Sequence, residues 1–165
     1  MKCFLRAAGL MLGLLLATML HAQSLWPGTT AGMRLEEVKK AFPDAHEPYT
    51  AAELPSGKGK ALLELEETEI AGHKFKVLFF FKEEQLVHVA LSETAQTPLR
   101  DFEKFRDLLR AKYGLENATT SSDFIEVYWK VSRAVIMLKW QPLNRGLATL
   151  SITYEAPIPS GTDRL

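Results

Sequence analysis

The side chains able to do chemistry are few and scattered. Asp44, His46 and Glu47 stand together in "DAHE", where an imidazole and two carboxylates could decorate a metal ion. No partner ligand follows at helical or finger spacing, so the stretch reads as a solvated loop. "ELEETE", Glu64 to Glu69, reads as the wet face and end of an edge strand, where charge discourages aggregation. His73 borders a turn, and His88 falls on the surface of a strand. "SGKGK", Ser56 to Lys60, lacks the glycine–lysine spacing and the preceding apolar strand of a phosphate loop, so it reads as a turn. Neither a nucleophile elbow nor a glycine-rich fingerprint is present. These residues point to a non-catalytic protein with no metal and no cofactor. An activity would need groups that only the fold brings together.

The elements that would carry these groups follow from periodicity. Leu35, Val38 and Phe42 form one stripe of a short helix in "AGMRLEEVKKAFPDA", which Pro43 ends. A second helix runs through "TPLRDFEKFRDLLRAKYG", with Thr97 as cap, Pro98 in the first position and Gly114 just past the end. Its stripe is Leu99, Phe102, Phe105, Leu109 and Tyr113. Three strands follow each helix: "KALLELEETE", "FKVLFFF" and "QLVHVALS", then "FIEVYWK", "RAVIMLKW" and "LATLSITYE". Residues 43–60 and the polar stretch before Phe124 read as loops. The expected fold is α+β: two α-β-β-β units, about 28–95 and 96–155, with both helices packed on one face of an antiparallel sheet.

The first 22 residues read as a signal peptide. Lys2 and Arg6 precede the apolar run "LMLGLLLATML", too short to span a bilayer comfortably, and Ala22 offers the cleavage site. Cys3, the chain's only cysteine, would leave with it, so no disulfide and no thiolate ligand is expected. That suits the bacterial periplasm, or secretion, with no stable membrane span after cleavage. The chain has 20 Lys and Arg against 20 Asp and Glu, and losing Lys2 and Arg6 leaves a net charge of −2. No basic stripe supports nucleic-acid binding. Residues 23–155 suffice for one domain with a real core. "APIPSGTDRL", 156–165, reads as a flexible tail.

"GMRLEEVKKAFPDA" resembles the helix opening of the small periplasmic BamE (SmpA/OmlA) family: Gly32-Met33, then Glu37-Val38, then Phe42. "FFFKEEQLVHVAL" is similar to the strand–turn–strand that follows in such domains. "LLRAKYG" with Trp129 and Tyr154 resembles a second, degenerate copy, the tandem plan of the beta-lactamase inhibitory proteins. Arg34 stands where the family often has Ser or Thr, and no lipid-bearing cysteine is present. The resemblance implies the fold, and implies that the sheet face away from the helices binds a protein.

Strand alternation separates the faces. With Trp129 joined to Ala134 across the hairpin at Val131-Ser132, Ile125, Val127 and Trp129 share a core face with Ala134, Ile136, Leu138 and Trp140. With a three-residue loop at Lys82 to Glu84, Phe75, Val77, Phe79 and Phe81 share one with Val87, Val89 and Leu91. The outer face then offers Leu78, Phe80, Leu86, Phe124, Tyr128 and Met137 among charged neighbours, the composition of a contact surface for a protein partner in the cell envelope. The dense phenylalanines and the lid-like 43–60 segment suggest an alternative: a small apolar ligand or lipid held between sheet and helices.

Overall fold

The structure, a computed structural model, describes residues 24–120, 123–132, 134–143 and 148–157. The expected signal peptide with its cleavage site after Ala22, and all but the first two residues of the expected tail, lie outside them. In chain order the elements are α1 (Leu35–Ala41), β1 (Lys60–Ile70), β2 (His73–Lys82), β3 (Gln85–Glu93), α2 (Leu99–Tyr113), β4 (Asn117–Thr120), β5 (Ile125–Val131), β6 (Ala134–Pro142) and β7 (Ala148–Glu155).

The expectation of two α-β-β-β units is not what forms. All seven strands join a single antiparallel sheet in the order β1-β2-β3-β7-β6-β5-β4, and strand greatly outweighs helix. The polar stretch after α2 is itself a strand, β4, pairing Asn117 with Tyr128 and Ala118 with Val127. Two Thr and no apolar alternation hid it, because an edge strand is held by its neighbour's ladder rather than by a buried face. The last strand returns to the middle, where Leu91 faces Ile152 and Leu138 faces Ile152 from the other side. One continuous core replaces two modules.

That core lies on the inner face. Phe75, Phe79, Leu91, Trp129, Ile136, Leu138 and Leu150 are among its fully buried side chains, with Phe102 and Phe105 of α2 packed against them. Trp129 Nε1 donates to Gly114 O at 2.8 Å, and Trp140 Nε1 donates to Thr97 O at 3.0 Å, so two indoles pin both ends of α2 to the sheet. The start of α2 differs from expectation. Pro98 is the N-cap, without a side-chain cap, while the Thr97 hydroxyl donates to Glu93 instead. α1 is shorter. It buries Val38, and Phe42 closes an aromatic group with Trp26 and Phe79 at 5.3 and 5.2 Å.

The β5–β6 pairing gives the faces that alternation predicts, but it is slid by two residues from the expected Trp129–Ala134 pair: Trp129 faces Ile136 and Val131 faces Ala134. The β2–β3 turn also differs from expectation. Lys82 pairs with Gln85 across only two residues, Glu83 and Glu84, at φ of 49° and 64°. This is the backbone of a two-residue hairpin turn, normally given to Asn-Gly. A register shift just beyond it leaves Phe81 opposite Leu86 and Phe80 opposite His88. Val87 is the extra residue of that bulge, and it restores parity for Val89 and Leu91.

Candidate functional site: the outer face of the sheet

Register sorts the outward side chains into rows that cross the strands. The middle row runs Glu64, Leu78, Ala90, Thr153, Met137, Tyr128 and Asn117, one residue from each strand. Three of the six expected contact residues, Leu78, Met137 and Tyr128, are thus aligned by backbone pairing alone. All three are half-buried, open on the outer side. Phe124, also half-buried, precedes β5, with the Lys139 ammonium 4.6 Å from its ring centroid. Lys130 sits 5.7 Å from the Tyr128 ring. The neighbouring row is polar: Lys76, Ser92, Ser151, Lys139 and Glu126. The open face is therefore an apolar stripe with a charged margin, and its aromatic rings already accept cations on their faces.

The third row, Phe80, His88, Glu155, Val135 and Lys130, begins differently. Phe80 is only 5% exposed and His88 only 8%, their rings meeting edge to face at 5.3 Å. Their cover is residues 43–59, which form a strap. His46 and Glu64 exchange backbone hydrogen bonds of 3.0 and 2.7 Å, and Ala61 N donates to Ala52 O at 2.9 Å, so the strap runs along the edge of β1. Its tip then turns back. Lys58 Nζ reaches Glu155 Oε1 at 3.6 Å, and Gly59 packs so closely that a Cβ there would lie 3.1 Å from Val87 Cγ2 and 3.2 Å from Phe81 O.

Two expected contact residues therefore leave the site. Phe80 does face outward but is covered by the strap. Leu86, expected outside, is 0% exposed and belongs to the core, because the two-residue turn swings it inward. His88, read as a surface residue, is buried. Val87, read as core, is half-buried.

Under the strap tip lies an open groove of about 430 Å³, lined by Leu54, Lys58, Leu86, His88, Glu155 and Pro157 among others. Its size falls in the range of ligand sites. His88 Nδ1 is buried with no hydrogen-bond partner among the described residues. Burial lowers the His88 pKa, Glu155 opposes this, and Lys58 adds to it. The groove lies at the end of the sheet, and none of its lining residues belongs to α1 or α2. Ala156 N donates to Val87 O at 2.9 Å, so the chain remains held one residue past β7, into the stretch read as tail.

The other described histidines, His46 and His73, each have a hydrogen-bond partner. His73 Nδ1 lies 2.7 Å from Glu93 Oε1, and Glu93 also receives the Thr97 hydroxyl. The carboxylate stands between imidazole and hydroxyl, the wrong order for a base activating a nucleophile. Glu64 is not the wet strand residue expected: it is 2% exposed, with Lys76 Nζ 2.8 Å from Oε1. Among the described residues no helix is long and apolar enough to cross a membrane.

No family model, curated protein or solved structure matches the chain.

Proposed function

We propose that this chain is an exported, non-catalytic interaction domain of the bacterial cell envelope, an inhibitor, adaptor or assembly factor that binds a protein partner through the open part of its outer sheet face. The alignment of Leu78, Met137 and Tyr128 in one row carries the reading. A flat apolar stripe with Lys130, Lys139 and Glu126 beside it suits a partner that buries the stripe and pairs with the margin. Phe124 extends the stripe at the β5 end. A photo-crosslinking residue placed at Met137 or Tyr128 in cells is expected to form an adduct with one protein. The same residue at Leu108, exposed on α2, is expected to form none. Equal adducts from both faces, or none from the sheet, would remove the proposal. N-terminal sequencing of exported protein is expected to begin at Gln23.

The groove favours a second reading, a small apolar ligand seated against Leu54 and Val87. Native mass spectrometry of freshly purified protein tests it. A bound mass that disappears in Leu54→Glu supports this reading, and a bare chain in every preparation rejects it.

A further inference from the structure

We propose that His46, Glu64 and Glu66 are the protein ligands of a divalent transition-metal site, zinc in class, that fastens the strap to the edge of β1. One ring nitrogen of His46 and one carboxylate oxygen from each glutamate lie within 4.8 Å of one another. Backbone pairing explains why. His46 and Glu64 exchange both of their main-chain hydrogen bonds, which in an antiparallel pair places the two side chains on the same face. Glu66 follows two residues later on β1 and returns to that face by strand alternation. Three donors separated by 18 and 2 positions in sequence thus converge on one point.

The histidine is already prepared as a ligand. Its Nδ1 lies 2.8 Å from Glu47 O, and a carbonyl can only accept, so Nδ1 carries the proton and Nε2 keeps its lone pair. An N–H held by a backbone carbonyl is the usual outer-shell arrangement of a metal-binding imidazole. Glu64 is the anchor. Glu64 is 2% exposed, and among the described residues the Lys76 ammonium is the one cation paired with its carboxylate. Lys76 balances one of the two carboxylate charges and leaves the other for the cation. Glu66 is exposed, which provides an entry path and room for water in the remaining positions.

The donor set selects the metal. One imidazole and two carboxylates suit Zn²⁺ and its first-row neighbours. Ca²⁺ prefers six to eight oxygens, and Mg²⁺ keeps most of its water. The site joins a loop residue to a strand, so its effect falls on the strap, whose tip also covers Phe80 and roofs the His88 groove.

Titrating tag-free full-length protein with Zn²⁺ by calorimetry, and with Co²⁺ by visible absorption, tests the site. One equivalent is expected to bind, with a Co²⁺ d–d band of a low-coordinate N/O site. Zn²⁺ is expected to slow proteolysis within 47–59. His46→Gln and Glu66→Gln each should weaken Zn²⁺ binding at least about tenfold, since supporting groups alone are worth about 10- to 100-fold. Both should keep the native circular dichroism and lose the protection of the strap. His73→Gln should bind as the parent does. Absence of stoichiometric binding, or binding that survives both the His46 and Glu66 substitutions, would overturn the proposal.

Discussion

Phe80 and Tyr128 are both aromatic, both face outward from the same sheet, and both lie in strands between inward apolar neighbours. Phe80 is nevertheless as buried as a core residue, while Tyr128 keeps an open face. The difference lies in neither residue. It comes from the strap, which pairs with the edge of β1 and brings its tip over the β2–β3 end, anchored by Lys58 to Glu155. Outward position on a strand therefore does not make a contact residue. The covered end of the face contributes stability, and the open end is available to a partner.

The largest effect should separate the two aromatics. Phe80→Ala is expected to cost about 3–5 kcal/mol in denaturant unfolding, the range for truncating a buried phenylalanine, whereas Tyr128→Ala should cost only about 1 kcal/mol. Equal losses would mean that the two ends are not different environments. Binding should reverse the order. Tyr128→Glu or Met137→Glu should destabilise far less than Phe80→Ala and weaken capture of the crosslinked partner by about 30-fold, as expected of a hot spot worth about 2 kcal/mol.

The buried imidazole gives the covered end a pH signature. Burial lowers the His88 pKa from its ordinary 6.5, so the folded state favours the neutral ring. Between the lowered folded value and 6.5, the unfolded chain binds more protons, and stability rises with pH there. The contribution is complete above the unfolded value and is lost as pH falls through it toward the folded one. Unfolding free energies measured from about pH 7 down to about pH 5 should decline less steeply in His88→Gln than in the parent. An unchanged slope would show that His88 is not held neutral.

The smallest effect concerns the turn that moved Leu86 inward. Glu83 and Glu84 both adopt positive φ, which side chains other than Asn, Asp or Gly tolerate poorly. Replacing them with Asn-Gly should raise stability by about 0.5–1 kcal/mol without changing partner capture.

Much of the fold was legible in the sequence because it rests on short-range rules. The two helices, six of the seven strands and the inner and outer faces of β5 and β6 follow from periodicity, proline and glycine placement, although Leu99, expected in the stripe of α2, is exposed. The sequence did not show how the strands join. Two equal modules and one seven-stranded sheet use nearly the same strand patterns, and they differ in the long-range pairing of β3 with β7 and in a polar fourth strand without an alternation signal.

The candidate site divides the same way. Leu78, Phe124, Tyr128 and Met137 were readable as outward because a strand's period of two is local. Leu86 was misassigned because a two-residue turn with a bulge and a three-residue turn give the same parity from His88 onward, differing at Gln85, Leu86 and Val87. His46 had no visible partners because Glu64 and Glu66 reach it only through the pairing of a loop with an edge strand. Sequence by itself determined the side on which most strand residues lie, the turn-proximal Leu86 and Val87 excepted. Tertiary structure alone decided which outward residues stay open and which distant donors meet, because both depend on where the strap folds back, a placement set by hydrogen bonds between segments that share no local pattern.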